Sequence, residues 1–333
     1  MAYALSVLDL APVGSGVEPA IALQRTVDLA RLAEQLGFVR LWYAEHHGLP
    51  SVASSTPAIL IAHAAAATAR IHLGSGGIML PNHTPLLVAE TFHTLAALHP
   101  GRIDLGIGRA PGTDQITSQA LRPFDADQFA QQLTELAELS RSGFPPGHPF
   151  HRVRVVPTGV ALPPIWLLGS SGASARLAGS RGLGYGFASH FSPTPPQPAL
   201  RAYRQAFTPS AAFPRPHVIL GVSVVCAETS AQAEYLASTL DLMWLRLRRN
   251  EYTPLASPEE ATAYPYTAQE RALIAGYREL LILGDPPTVA RRLTELAAET
   301  AADELMITTN LHGHADRLRS YELIAAATAK LRA

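Results

Sequence analysis

The sequence predicts an α/β protein of the (β/α)8, or TIM-barrel, class, with insertions after the fourth and seventh strands. Three observations carry the expectation. Eight short apolar runs alternate with helix-like segments along the chain. Chemically active side chains gather just beyond the C-terminal ends of those runs, where sites in this fold are built. Hydrophobic residues make up 47% of the chain and charged residues only 16%, which suits strands buried on both faces and argues against disorder.

Taken in order, Tyr3 to Leu8 is the first run, ending at Asp9, with Pro12 and Gly14 to Gly16 in the loop. Glu18 to Leu36 carries Ile21, Val27, Leu29, Leu32, Ala33 and Leu36 at helical spacing and stops at Gly37, a residue suited to ending a helix. Phe38 to Ala44 is the second strand, followed by a helix from Ser54 to Ala69 in which Pro57 fits the first turn. Ile71 to Leu80 is the third, carrying Gly74-Ser75-Gly76-Gly77, and Thr84-Pro85 opens a helix from Leu86 to Leu98. Arg102 to Ile107 is the fourth and closes on Gly108-Arg109.

Beyond residue 110 the rhythm loosens. Residues 110–125 read as a polar loop, Asp127 to Leu139 as a helix, and Ser142 to Pro164 as a Pro- and Gly-rich excursion with room for a hairpin. Ile165 to Leu168 is the fifth strand, and Gly169-Ser170-Ser171-Gly172 leads into a helix from Ala173 to Arg181. Tyr185 to Ser189 is the sixth strand, with Ala199 to Phe207 its helix, and Val218 to Cys226 is the seventh, followed by a helix from Ser230 to Arg249. Residues 250–287 form the longest irregular stretch, with a helix expected from Gln269 to Leu281. Thr288 to Ala298 is a helix, Glu304 to Thr309 the eighth strand, and Ala315 to Leu331 the terminal helix. No linker or short repeat interrupts the series, so residues 1–333 are expected to form a single domain.

Composition narrows the partners. A formal net charge of -1 leaves no basic footprint for nucleic acid and no polybasic membrane signal. The run Ile59 to Ala69, broken by His63, falls short of the roughly 18 apolar residues of a membrane span. Cys226 has no second cysteine to pair with, and Met1 to Leu10 lacks the order of a secretory signal, so a cytoplasmic location is expected.

The strand ends carry Asp9, Glu45 with His46, Gly76-Gly77, Arg109, Ser170-Ser171, His190 and Thr309-Asn310. The opposite ends carry Arg40, His72, Pro164 and His217, without an evident cluster. Adjacent strand residues face opposite ways, so of His46 and His47 one is expected to serve chemistry and the other structure. Gly169-Ser170-Ser171-Gly172-Ala173-Ser174 would present backbone N–H groups, hydroxyls and a helix dipole to a phosphate, with Arg109 as a charged fork; alone, the same residues are a Ser-rich cap and a surface arginine. Gly76 and Gly77 would let something flat approach the backbone. His312 and His314 have no second pair at ligand spacing, so no metal site is expected.

Together, Trp42-Tyr43-Ala44-Glu45-His46-His47, Gly74-Ser75-Gly76-Gly77-Ile78-Met79-Leu80-Pro81, Ala89-Glu90, Gly101 to Arg109, Pro164 to Ser171 and Asp303-Glu304-Leu305-Met306 resemble the bacterial luciferase-like monooxygenase family over nearly the whole chain. The resemblance implies a (β/α)8 barrel that usually forms a homodimer and uses reduced FMN from a separate flavin reductase to oxidise a small-molecule substrate, the alternatives being hydride transfer with the deazaflavin F420 and a non-catalytic flavin-binding protein of the same fold. By position, His46 matches the catalytic imidazole beside the flavin, with Asp9 and Glu45 placed to orient it. Gly76-Gly77 matches a non-prolyl cis peptide against the flavin ring. Arg109, Ser170, Ser171, Gly172 and Ser174 match the phosphate cradle, and His190 is placed to contact ring or substrate. Three departures stand out: Gln128 falls where the family's luciferase subunit has a second phosphate-binding arginine, Gly108 replaces a reactive cysteine, and residues 250–287 show no clear match to its long mobile loop.

Overall fold

A computed structural model describes residues 3–122, 125–141 and 143–329. Ser142, where the excursion was expected to start, and the last residues of the terminal helix expected through Leu331 lie outside them. The strands are β1 (Ala4–Asp9), β2 (Arg40–Tyr43), β3 (His72–Ser75), β4 (Ile78–Met79), β5 (Ile103–Gly108), β6 (Ile165–Gly169), β7 (Gly184–Ala188), β8 (Val218–Cys226), β9 (Leu281–Gly284) and β10 (Glu304–Thr308). The helices are α1 (Pro19–Gln35), α2 (Pro57–Ala67), α3 (Pro85–Leu98), α4 (Gln115–Leu121), α5 (Phe129–Arg141), α6 (Gly172–Ser180), α7 (Gln197–Ala206), α8 (Ser230–Arg248), α9 (Pro258–Ala263), α10 (Ala268–Arg278), α11 (Pro286–Thr300) and α12 (His314–Thr328).

Every strand pairing is parallel, in the order β10-β1-β2-β3-β5-β6-β7-β8, and β8 pairs back onto β10 to close an eight-stranded barrel. The eight expected strands are therefore present, in the expected order. Short β4 pairs β5, because the third strand is broken between Ser75 and Ile78, and β9 pairs the far end of β8. The insertions after the fourth and seventh barrel strands are more ordered than their composition suggested. Residues 110–125 contain α4, whose first turn is capped by the Asp114 carboxylate. The stretch 250–287 contains α9, α10 and β9. No strand forms among the described residues of 143–164, where Phe144 instead stacks on His148 with ring centres 4.0 Å apart. Among the described residues no helix is long and apolar enough to cross a membrane.

Alternation along the strands sorts side chains into two cores. Leu5, Val7, Leu41, Tyr43, Leu105, Leu220 and Leu305 face the helices, whereas Leu8, Trp42, Ala44, Trp166, Ile219 and Met306 fill the lumen. Two tryptophans meet edge to face at 5.6 Å, and their bulk is admitted by glycines across from them. A Cβ on Gly74 would come within 2.6 Å of Trp42 Nε1. Phe213, 4.9 Å from Trp166, closes the lumen toward the N-terminal end.

That end also holds a charge cluster where a scatter of residues was expected. Arg40 donates to Asp104 Oδ2 at 2.6 Å and to Glu304 Oε1 at 2.8 Å, and its guanidinium lies 4.8 Å from the Trp166 ring centre. His217 Nε2 is 3.6 Å from Glu304 Oε2, the Ser6 hydroxyl donates to Glu304, and Trp42 Nε1 donates to Asp104 at 3.1 Å. The acidic partners sit near the start of strands far away in sequence, and only barrel closure brings them to one level. A buried pair this well satisfied compensates its own desolvation, and loss of either member would strand the other.

Candidate active site

The phase of β2 separates the two adjacent histidines. Trp42 and Ala44 face the lumen, so continuing the alternation puts His46 on the lumen side and Glu45 and His47 on the other. The contacts follow that division. His46 Nδ1 lies 3.2 Å from the carbonyl of Gly112, which fixes the proton on Nδ1 and leaves the Nε2 lone pair free. Burial lowers the His46 pKa against the opposing pull of Gly112 and Glu45, so the ring is neutral near pH 7. His190, just beyond β7, is close enough for a charge on His46 to act on it; burial, opposed by the Gly221 backbone and reinforced by His46, brings its pKa down to about 4. It packs on Gly221, where an added Cβ would stand 2.7 Å from Nδ1.

Glu45 does a different job. Its fully buried carboxylate accepts from His47 Nε2 at 3.1 Å, Asn82 Nδ2 at 3.1 Å, His83 Nε2 at 2.9 Å and the Met79 backbone N–H at 3.0 Å. Burial alone would raise its pKa; the hydrogen bonds from His47 and His83 outweigh that and hold it at about 2. Because folding depresses this pKa, the stabilisation is present above about 4.5 and is lost as pH falls toward 2. The carboxylate thereby ties the loop after β2 to the turn after β4. Glu45→Gln should lower the free energy of unfolding by about 2–3 kcal/mol in urea titrations at pH 7; a loss below about 0.5 kcal/mol would mean that the network is not held by charge.

Asp9 also lies off the lumen, following Leu5 and Val7 in phase on the helix-facing side of β1. Its Oδ1 accepts from Arg317 Nη2 at 2.6 Å and from the Ala11 backbone N–H at 2.6 Å, and Arg317 Nε in turn donates to Thr309 O at 2.9 Å. The pair pins α12 to the ends of β1 and β10.

Gly76 and Gly77 break the third strand, and the peptide between them is cis. A Cβ on Gly77 would come within 2.7 Å of Leu168 Cδ1 and 2.8 Å of Gly106 O, so the surface here is bare backbone by necessity. Two strands along the barrel from β3, β6 passes through Ser170 into α6. The Ser171 hydroxyl caps that helix, accepting from Ser174 N at 3.4 Å, while Ser174 Oγ donates to Ser171 O at 2.8 Å and lies 3.2 Å from the Tyr185 hydroxyl. Arg109, exposed just past β5, makes no ion pair or side-chain hydrogen bond among the described residues. Sequence reasoning missed Arg176, which looks like ordinary helix surface; its Nη1 lies 3.4 Å from where a Cβ on Gly172 would stand, beside the first turn of α6.

Other candidates separate. Gln128 donates to Asp125 at 2.9 Å, His312 Nε2 lies 3.0 Å from Ser15 O, and His314 Nε2 lies 3.6 Å from Asp28. Among the described residues no three His, Cys, Asp or Glu side chains group so as to hold a metal ion. Burial pushes the Cys226 thiol up to about 12, leaving it protonated and inert.

A family model described as luciferase-like monooxygenase matches residues 4–304. The chain belongs to this family. Among its members, a luciferase-like monooxygenase of Escherichia coli (strain K12) is 41% identical over 96% of this chain and 95% of its own. The N-acetyl-S-alkylcysteine monooxygenase of Bacillus subtilis (strain 168) is 35% identical over 97% of each chain. The crystal structure of apo-MsnO8 superposes with a TM-score of 0.89 at 37% identity, covering 99% of both chains. More distant structures share the fold: the oxygenating constituent of 3,6-diketocamphane monooxygenase from Pseudomonas putida in complex with FMN (TM-score 0.72, 20% identity, 99% of both chains), and an F420-dependent secondary alcohol dehydrogenase (0.68, 15%, 98% of this chain and 99% of that one). Luciferase-like membership supports an oxidoreductase, and a flavin or deazaflavin is the cofactor type that such structures carry.

Proposed function

We propose that the protein is the oxygenase of a two-component system, taking reduced FMN from a separate flavin reductase and using O2 to oxidise a small organic substrate. The observation that carries this reading is a neutral His46, its Nδ1–H held by Gly112 O, at the lumen mouth with Nε2 available. Bound reduced FMN would supply the electrons that activate O2. The residues present fit such a group. Gly76 and Gly77 offer bare backbone to a flat ring, and the buried polar atoms Thr308 Oγ1 and Asn310 Oδ1, at the end of β10, have no partner among the described residues. The first turn of α6 and the unpaired Arg109 suit a phosphate, with Ser170, Ser171, Gly172 and Ser174 as its cradle.

In this reading His46 accepts or returns a proton at Nε2, and the Gly112 carbonyl keeps that nitrogen aimed inward. His190, neutral across the working range, contacts ring or substrate without adding charge. Asp9 and Glu45 act through the loops they hold. The aromatic lumen beneath the mouth keeps water from entering through the barrel floor.

Anaerobic titration of reduced FMN tests the cradle. Arg109→Ala should weaken binding about tenfold or more, the loss expected for a charged phosphate contact; unchanged affinity would remove Arg109 from the site. Preferential binding of F420 in the same titration would select hydride transfer without O2 instead. N-acetyl-S-alkylcysteines, named for the relative at 35% identity, head the panel of candidate substrates.

A homodimer through α2 and α3 belongs to the same proposal. Both helices carry large apolar side chains on their outward sides, leaving Ile59 67%, Leu87 56% and Leu98 65% exposed in the single chain. Ile59→Lys combined with Leu87→Lys should yield monomers in sedimentation velocity runs; dimers of undiminished stability would place the interface elsewhere.

A further inference from the structure

A second cavity lies outside the lumen, where β8 changes partners. β8 pairs with β7 through Val218–Gly221 and with β9 through Ser223–Cys226, so Val222 falls between the two pairings. A cavity of about 760 Å3 opens at this step, bounded by Ser189, Val222 and β9 and covered by α10 and α11. Val222 belongs to the core between strands and helices, whereas its neighbour Gly221 meets His190, so β8 itself separates the cavity from the proposed active site. The volume is that of a small-molecule site.

Its lining combines apolar and cationic groups. Leu281, Ile282 and Leu283 of β9 are only half-buried. Arg278 is satisfied by Asp241, at 2.6 and 2.7 Å, and by Glu234 at 3.1 Å, and Arg292 pairs with Glu295. Arg271 and Arg291 have no ion pair among the described residues, against one lining carboxylate in the same condition, Glu279. The Arg271 guanidinium stands 5.5 Å from the Tyr266 ring centre, and the buried Tyr266 hydroxyl has no hydrogen-bond partner among the described residues. Unpaired guanidinium groups beside an idle hydroxyl and half-buried aliphatic side chains suit an anion with an apolar body.

The geometry points to a second ligand site in this cavity, taking a small carboxylate, sulfonate or phosphate ester with an apolar body. Arg271, Arg291 and the Tyr266 hydroxyl hold its charged end, and the β9 side chains cover its body. Calorimetric titration with naphthalene-2-sulfonate tests this on the intact protein. One saturable site is expected, with Kd raised about tenfold or more by Arg271→Ala combined with Arg291→Ala, and changed by less than about twofold by Arg109→Ala combined with Ser174→Ala. Both arginines are exposed, so their removal leaves the fold in place. Absence of saturable heat, equal loss in both double variants, or loss confined to the Arg109 and Ser174 pair would overturn the assignment.

Discussion

His46→Ala is expected to bind reduced FMN within about twofold of the parent protein while turnover falls by about 10^2- to 10^4-fold, the usual worth of a positioned general acid or base. The asymmetry follows from where the ring sits. The proposed phosphate cradle lies at the end of β6 and the start of α6, three strands along the barrel from β2, so loss of the imidazole leaves it intact. Within the Glu45-His46-His47 trio, Glu45 and His47 hydrogen-bond to each other, whereas the His46 ring meets the Gly112 carbonyl through Nδ1 and lies close enough to act on His190. Affinity would be read by anaerobic titration and turnover on the first candidate substrate to react. Equal loss of binding and turnover would make His46 a binding residue and contradict the role assigned to it.

Arg317→Met should destabilise the protein by about 3–5 kcal/mol, among the largest effects open to a single substitution. Arg317 is 2% exposed and carries the counter-charge for Asp9, itself fully buried. Removing the guanidinium leaves a carboxylate in apolar surroundings and frees the Thr309 carbonyl as well. Adding Asp9→Asn to Arg317→Met should recover part of the loss, because the neutral amide no longer needs a partner. Urea denaturation with the slope held constant gives both values. A cost under about 1 kcal/mol for the single variant, or no recovery in the double, would show that the pair is not what fastens α12.

The eight barrel strands were legible because a strand buried on both faces has to be mostly apolar, as Val218–Cys226 is with Ser223 its one hydroxyl, and as Ile103–Gly108 is apart from Asp104. The insertions were less so. In α4 the sequence QITSQAL has too little apolar period to announce a helix, and its clearest signal is Asp114, whose side chain accepts from the N–H groups of Ile116 and Thr117. β9 was hidden because Leu281 to Leu283 continue the apolar pattern of the preceding helix, and no local residue separates the two readings. α9 was likewise not read within residues 250–287; its N-cap is Ser257, whose hydroxyl accepts from Glu260 N. The charge cluster of Arg40, Asp104, Glu304 and His217 could not be read at all, since its members meet only through closure of the sheet.

At the proposed site, the sequence offered residue types without the directions of their side chains. His46, His190 and the serine cradle were placed by the rule that strand ends carry chemistry. Alternation alone left His46 and His47 equivalent; the phase was set by Trp42, whose inward position depends on Gly74 and on the Asp104 carboxylate beneath it. Asp9 and Glu45, expected to orient His46, engage other groups as well: Asp9 Oδ1 accepts from Arg317 and the Ala11 N–H, and Glu45 accepts from His47, Asn82, His83 and the Met79 N–H.

The most direct test mixes the protein with reduced FMN without oxygen, then with oxygenated buffer in a stopped-flow instrument, following flavin absorbance. A transient that requires the protein and is shortened in His46→Ala is the predicted result. Reoxidation indistinguishable from that of free flavin would contradict the oxygenase assignment and turn attention to F420 as the bound cofactor.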